Sequence, residues 1–298
     1  MTREYGPEAA PLTVIFAHGH CLDMQSWELQ RAFLQSTFGS EIRLVFYDQR
    51  GHGESGPAAP DTMTIEQLGQ DLDSVIRAVG GNAPIALVGH SMGGMSILSW
   101  ARQHPEKIGF PVVAAGLIAT AACELTGSGI ARSLSNPLVL AATTVARHAP
   151  WILGAGRVVA GKACEHVVRH AAYGWAPIHP RLVTCANTLI NDTASATILG
   201  FLPAFTHLDE TAGVNALARI PAMVLCGSGD LMTPYAHSQN IADQLPLSEL
   251  VPVPDAGHMV IRERPAVVSE AIVRLLTRVR VAREPYAPAD LEPASVGA

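Results

Sequence analysis

Lysine is almost missing from this chain. Of its 20 basic residues only Lys107 and Lys162 are lysines, and 26 acidic residues leave a net charge of −6 with no basic block or stripe. Binding to nucleic acid needs clustered cations against phosphate, so no nucleic-acid partner is expected. Long apolar runs are missing too. Mean hydropathy is high, at +0.23, but the apolar residues are spread along the chain. The most apolar stretch, Pro111 to Cys123, is short and broken by Gly116. It falls well under the roughly 20 residues a bilayer span requires. Met1 to Glu8 lacks the apolar core of a secretory signal, so a cytoplasmic location is expected. Cysteine is scarce: the five, at 21, 123, 164, 185 and 226, are an odd number without repeated spacing. Neither a disulfide framework nor a zinc cluster is indicated, and buried thiols in a reducing compartment are the reading.

What is present centres on Gly89-His90-Ser91-Met92-Gly93. An apolar run, Pro84 to Val88, precedes it and reads as a buried strand; Gly94 to Arg102 follows and reads as a helix. Gly-x-Ser-x-Gly between strand and helix is a nucleophile elbow. The serine must stand on a tight turn, glycines at 89 and 93 remove side chains that would collide, and the helix start supplies free N–H groups.

The 298 residues, 48% of them hydrophobic, suffice for one large domain or a core domain with an insertion. Short apolar strands are expected at 12–18, 42–48, 84–88, 112–119, 222–226 and 249–253. Asp23 is placed to cap a helix from Met24 to about Phe38. Thr64 and Gln67 have capping-box spacing before Leu68, Leu72, Val75, Ile76 and Val79. Helices are also expected at 235–245 and 265–279. This alternation predicts an α/β fold with a doubly wound, mostly parallel sheet. The core is expected over 1–120 and 219–281. Residues 121–218 hold no convincing strand, and 138–148, 158–172 and 180–191 read as helices. An interval so long is an inserted helical cap. Residues 282–298, rich in Ala and Pro, read as a loose tail.

A nucleophilic Ser91 needs a base, and the base an orienting acid. His258, in the loop after the last strand, is the candidate base, while His237 lies within a helix and reads as solvated. Asp230 follows the strand ending at Cys226 and is the candidate acid, with Glu124 as runner-up. An N-cap near Pro234 is the plainer role for Asp230, and Asp255 reads as a turn residue. The oxyanion would meet the amides of Met92 and His20, Gly19 permitting the close approach. His18 reads as a loop brace. Asp48, His52 and Ser55 are too local to form a second triad and should shape their loop. His166 and His170, four apart but without a third ligand, read as a cap helix face; no metal is expected.

His18-Gly19, Asp48-Gln49-Arg50-Gly51-His52-Gly53-Glu54-Ser55, Gly89 to Gly94, Gly227-Ser228-Gly229-Asp230 and Gly257-His258 together resemble the α/β-hydrolase superfamily over residues 10 to 280. The resemblance implies a Ser91–His258–Asp230 triad, no cofactor, and a helical cap. It also implies an N-terminal hairpin, of which Arg3 to Gly6 looks like the second strand and the first is missing. That leaves room for a homo-oligomer at the sheet edge.

A serine nucleophile argues against the branches of that superfamily that use Asp, and the elbow is similar to those of carboxylesterases, lactonases and monoacylglycerol lipases. The expected activity is hydrolysis of a small-molecule carboxylic ester through an acyl-enzyme. Leu138, Trp151, Phe201 and Phe205 are candidates for lining the substrate pocket. A cofactor-free lyase, C–C hydrolase, lactonase or perhydrolase could use the same triad. A ligand-binding protein on a hydrolase fold is the remote alternative.

Overall fold

The structure, a computed structural model, describes residues 1–79, 83–129, 132, 136, 172–173 and 193–281. Seven strands form one sheet: β1 (Thr2–Tyr5), β2 (Leu12–Ala17), β3 (Ile42–Tyr47), β4 (Ile85–His90), β5 (Val112–Ile118), β6 (Ala222–Gly227) and β7 (Ser248–Val253). Their order is β1-β3-β2-β4-β5-β6-β7. β2, β4, β5 and β6 are buried along their whole length, as the near-continuous apolar runs require of parallel strands covered on both faces. β7 is only partly buried, and β1, at the other edge, differs most. It is largely exposed and pairs antiparallel with β3, from Thr2↔Tyr47 to Tyr5↔Leu44. All other pairings are parallel.

The described helices are α1 (Glu28–Phe38), α2 (Ile65–Val79), α3 (Met92–Gln103), α4 (Ser195–Thr206), α5 (Thr211–Leu217), α6 (Tyr235–Asp243), α7 (Val260–Glu263) and α8 (Pro265–Val281). Leu34 and Phe38 of α1 join Val268, Ile272, Leu275 and Leu276 of α8 in a core on one face of the sheet. The other core takes Leu72 and Ile76 of α2, Ile97 and Leu98 of α3, Val214 and Leu217 of α5 and Ile241 of α6. A doubly wound sheet results, as expected. It sets β2 and β4 side by side where the chain's direction of travel across the sheet reverses. The crevice at the carboxyl ends of two such strands is where α/β sheets build their sites.

Strand ends agree with the sequence reading to within one residue, except that the strand expected over 84–88 runs two residues further, to His90. Two details differ. Asp23 caps a short 3₁₀ turn, Met24–Trp27, by accepting from the Gln25 amide at 2.8 Å, and the α-helix begins only at Glu28. Thr64 Oγ1 accepts from the Gln67 amide at 3.1 Å, but the Gln67 side chain turns toward Asp71 rather than completing the box. The cap expected over 121–218 falls largely outside the described residues, as do its helices at 138–148 and 180–191, most of that at 158–172, and the tail. Of its described part, α4 brings Phe201 and Phe205 onto Met92 and Met95 at the carboxyl end of the sheet. α5 packs on α3, so closely that a Cβ on Gly213 would strike the Leu98 carbonyl.

Candidate active site

Ser91 sits between β4 and α3 with φ +53° and ψ −120°. That left-handed backbone costs a non-glycine residue about 1–3 kcal/mol and persists only where the surroundings hold it. They do: the Ser91 amide donates to Ile118 O at 2.9 Å, and Thr120 Oγ1 donates to Ser91 O at 2.8 Å. The turn is tight enough that a Cβ on Gly93 would run into the Ala17 carbonyl, and one on Gly89 into the Gly93 carbonyl.

His258 arrives on the loop between β7 and α7. Its Nε2 lies 2.9 Å from Ser91 Oγ, and its Nδ1 lies 2.8 Å from Asp230 Oδ2. Asp230 can only accept, so Nδ1 carries the hydrogen and Nε2 presents a lone pair to the serine hydroxyl. The Asp230 side chain is fully buried. Its Oδ1 accepts from the amides of Met232 and Thr233 at 2.8 and 2.9 Å, and its Oδ2 from Thr233 Oγ1 at 2.9 Å. Burial alone would push this carboxyl up. Electrostatic attraction to His258 and the hydrogen bonds from His258 and Thr233 outweigh it and hold the carboxyl below its usual range. Cys226 Sγ lies 3.7 Å from Oδ2, and burial pushes that thiol up, keeping it protonated.

The alternatives for the acid and base lie elsewhere. Glu124 is exposed, in a left-handed conformation ahead of a short 3₁₀ turn. Asp255 is also left-handed and exposed, a turn residue whose amide donates to Ser228 Oγ at 3.0 Å. Asp230 does not cap α6; Pro234 occupies that position. His237 is not solvated as expected. The first described residues of the 121–218 interval fold against it, so that it is half-buried with Nε2 2.9 Å from Ser128 Oγ.

Met92 is the first residue of α3, so its amide is among those a helix leaves without an internal acceptor. A Cβ on Gly19 would stand 3.2 Å from Ser91 Cβ, which puts the Gly19–His20 peptide beside the serine. His18 braces that loop as expected: its Nε2 accepts from the Gln49 amide at 2.9 Å and its Nδ1 donates to Gly19 O at 2.7 Å. Asp48 shapes the neighbouring loop by accepting from the amides of Met24 and Glu54, each at 2.8 Å. Arg50 grips Asp71 with two bonds, at 2.7 and 2.6 Å. His52 Nε2 accepts from the Cys21 amide at 3.2 Å.

Phe201 and Phe205 are buried, and the His20 ring stands edge-on to both, at 5.7 and 5.4 Å between centroids. Leu138 and Trp151 lie outside the described residues, as do Cys164, Cys185, His166 and His170. Among the described residues no cluster of His, Cys, Asp or Glu is arranged to hold a metal ion. No described helix is long and apolar enough to cross a membrane.

Three supporting residues escaped the sequence reading. His90 Nε2 donates to His258 O at 2.9 Å, Thr233 grips Asp230, and the buried Glu263 accepts from the Gly257 amide at 2.9 and 3.1 Å. Only Thr233 carried a signal, lying three residues after Asp230 and just before a proline.

Two curated relatives match over nearly the whole chain. A protein of Caulobacter sp. (strain K31) described as a carbamate hydrolase, RutD, is 24% identical, covering 91% of this chain and 93% of its own. The sn-1-specific diacylglycerol lipase ABHD11 of Mus musculus is 26% identical, covering 92% of this chain and 90% of its own. Among solved structures, a thermophilic esterase from Thermogutta terrifontis superposes with a TM-score of 0.74 at 23% identity, over 94% of this chain and 93% of that one, a likeness of fold. Residues 14–271 match the alpha/beta hydrolase family, and the chain belongs to it.

Proposed function

We propose that this chain hydrolyses carboxylic esters of small to medium apolar acyl or alcohol groups through an acyl-enzyme on Ser91. The observation that carries the reading is the unbroken line of contacts from Ser91 Oγ to His258 Nε2 at 2.9 Å and from His258 Nδ1 to Asp230 at 2.8 Å. His258 takes the serine proton as Oγ attacks the carbonyl carbon. Asp230, kept ionised, stabilises the imidazolium that forms and holds its tautomer. Negative charge on the former carbonyl oxygen is met by the amides of His20 and Met92. The imidazolium then gives its proton to the leaving alcohol. A water enters, loses a proton to His258, attacks the acyl carbon, and the acid leaves as Ser91 regains its proton. No cofactor takes part.

The strained backbone of Ser91 supports the same reading, because such strain concentrates where a reactive group must be displayed. So do the names of relatives, which include esterases, a lipase and a carbamate hydrolase, all acyl-transfer chemistry. Phe201 and Phe205, buried against Met92 and Met95, give the proposed pocket an apolar wall. Lactone opening would follow the same steps with the alcohol retained on the product. A lyase, C–C hydrolase or perhydrolase would use the triad with different products.

The test is hydrolysis of p-nitrophenyl esters from acetate to palmitate by wild type and Ser91→Ala. Activity lost by at least about 10⁴-fold in the variant is expected, and the chain-length optimum sizes the pocket. Fluorophosphonate labelling of Ser91 without turnover of any ester would move the reading to the other triad chemistries. No labelling at all would leave a ligand-binding protein.

A further inference from the structure

The side chain of His20 is used by none of the steps above, which need only its amide. Its ring is nevertheless fixed. Nε2 lies 3.1 Å from the carbonyl oxygen of Ile198 in α4. A carbonyl can only accept, so Nε2 carries the hydrogen, and Nδ1 is left as a bare acceptor. That Nδ1 is buried and has no hydrogen-bond partner among the described residues. Two neighbouring histidines differ, while His90 Nδ1 is likewise buried with no partner among the described residues. His52 uses both nitrogens, on the Cys21 amide and the Arg50 carbonyl, and His18 uses both, on the Gln49 amide and the Gly19 carbonyl. A buried acceptor left without a donor costs about 1–3 kcal/mol and calls for an explanation.

Its place suggests one. Nδ1 is bonded to the ring carbon nearest the backbone, so it lies close to the residue's own amide, beside Ser91. The sheet order sets β2, which leads to His20, on one side of β4, and β5, β6 and β7 on the other. His258 and Asp230 come from the β6 and β7 side. A leaving group must face His258 to be protonated. The acyl part of an ester bound to Ser91 is therefore turned toward His20 and the two phenylalanines edge-on to it.

We propose that His20 Nδ1 determines substrate choice by accepting a hydrogen bond from an O–H or N–H group on the acyl part, next to the scissile carbonyl. The preferred substrates are thus esters of 2-hydroxy or 2-acylamino acids that are otherwise apolar. This rests on the ester-hydrolase reading above. Burial, with the neighbouring His52, pushes the His20 ring down to about 3, so the imidazole is neutral and its acceptor available across the whole working pH range. A ring that charged near neutrality would turn Nδ1 into a donor and reject the same group.

The test compares three methyl esters by pH-stat: lactate, 2-methoxypropanoate and propanoate, each normalised to its hydroxide-catalysed rate. The enzymes are wild type, His20→Asn and His20→Leu. Asn carries Oδ1 on the carbon where His carries Nδ1, so it keeps an acceptor in place, while Leu has the same shape without one. Wild type is expected to favour lactate about tenfold in kcat/KM over both controls, the size of one buried hydrogen bond. His20→Asn should keep most of that preference, and His20→Leu should bring the ratio close to one. A wild type without the preference overturns the proposal whatever the variants do, as does a preference that survives in His20→Leu. In both cases p-nitrophenyl esters would still be cleaved and the ester reading would stand. No ester hydrolysis and no labelling of Ser91 would overturn both together.

Discussion

The imidazole of His90 donates from Nε2 to the carbonyl oxygen of His258 at 2.9 Å. The residue before Ser91 thus holds the main chain of the residue that contacts Ser91, 168 positions away in sequence. The two rings lie 5.0 Å apart between centroids. One turn fixes both partners of the Ser91–His258 contact, which ties the reach of the base to the shape of the elbow. Replacing His90 by Phe keeps the bulk and loses the donor. The expected result is a fall in kcat of about tenfold with KM changed less than twofold, because a misplaced base harms the chemical step more than binding. His90→Gln, which can still donate, should recover part of it. Steady-state kinetics on a p-nitrophenyl ester decide, and an unchanged kcat in His90→Phe would remove the positioning role.

Thr233 gives Asp230 two of its hydrogen bonds, one from its amide and one from its hydroxyl, both at 2.9 Å. Together with the electrostatic attraction to His258 they overcome a desolvation that would otherwise raise the carboxyl. Thr233→Val removes the hydroxyl donor and leaves the shape. The Asp230 pKa should rise, and kcat should fall roughly tenfold, with Thr233→Ser restoring both. The sign for stability follows. A depressed carboxyl stabilises the fold above its unfolded pKa, near 4, and loses that contribution as pH falls through its folded value. Thr233→Val should lose part of that contribution, lowering the melting temperature more at pH 7 than at pH 3.5. A uniform drop at both would mean packing, not charge, was removed.

The sheet was legible because its strands are buried on both faces. Such strands read as nearly continuous apolar runs, and β2, β4, β5 and β6 do, with Thr13 and His90 as the polar residues. Ser91, Asp230 and His258 were legible because each stands where a strand ends, in a short glycine-bearing stretch that few other constraints produce. His90, Glu263 and the Ser128–His237 pair were not. Their partners lie 168, 6 and 109 residues away, and nothing local in the chain marks a histidine as a donor to a distant carbonyl. His237 read as solvated because it lies within a helix, and among the described residues the 125–129 segment packs against 231–237 and covers it. The bare Nδ1 of His20 is likewise a product of the Ile198 carbonyl, 178 residues further on.

Gly93 is the position where the elbow tolerates least. An added Cβ there would overlap the carbonyls of Ala17 and His18, main-chain atoms that cannot swing aside. Gly93→Ala must therefore move β2 or α3, at a cost of about 1–3 kcal/mol, and it shifts the Gly19–His20 peptide relative to Ser91. Gly127 is the contrast, since a Cβ there meets nothing within 4 Å. Gly93→Ala should lose most activity and melt several degrees lower, while Gly127→Ala should match wild type in both. Equal melting temperatures and rates in the two variants would show that the elbow can relax.

Buried histidines set the acid limit of the fold. His20 is pushed down to about 3, His52 to about 4 and His90 to about 3, in each case first by burial, with His52 adding to the effect on His20 and His258 to that on His90. In the unfolded chain all three titrate near 6.5. Between pH 6.5 and about 4 the unfolded state therefore binds protons that the folded state refuses. Stability must fall as pH falls through that window, by up to about 1.4 kcal/mol per pH unit for each histidine. Three such groups amount to a large part of the 5–15 kcal/mol that holds a domain together. Carboxylates titrate mostly lower, so the interval from pH 6.5 to 5 reports the histidines. Melting temperature should be nearly flat from pH 8 to 7 and drop steeply from 6.5 to 5. His52→Asn should flatten the drop by about one proton's worth. A protein that melts at the same temperature at pH 5 and pH 7.5 would mean that these rings take up protons while the chain remains folded.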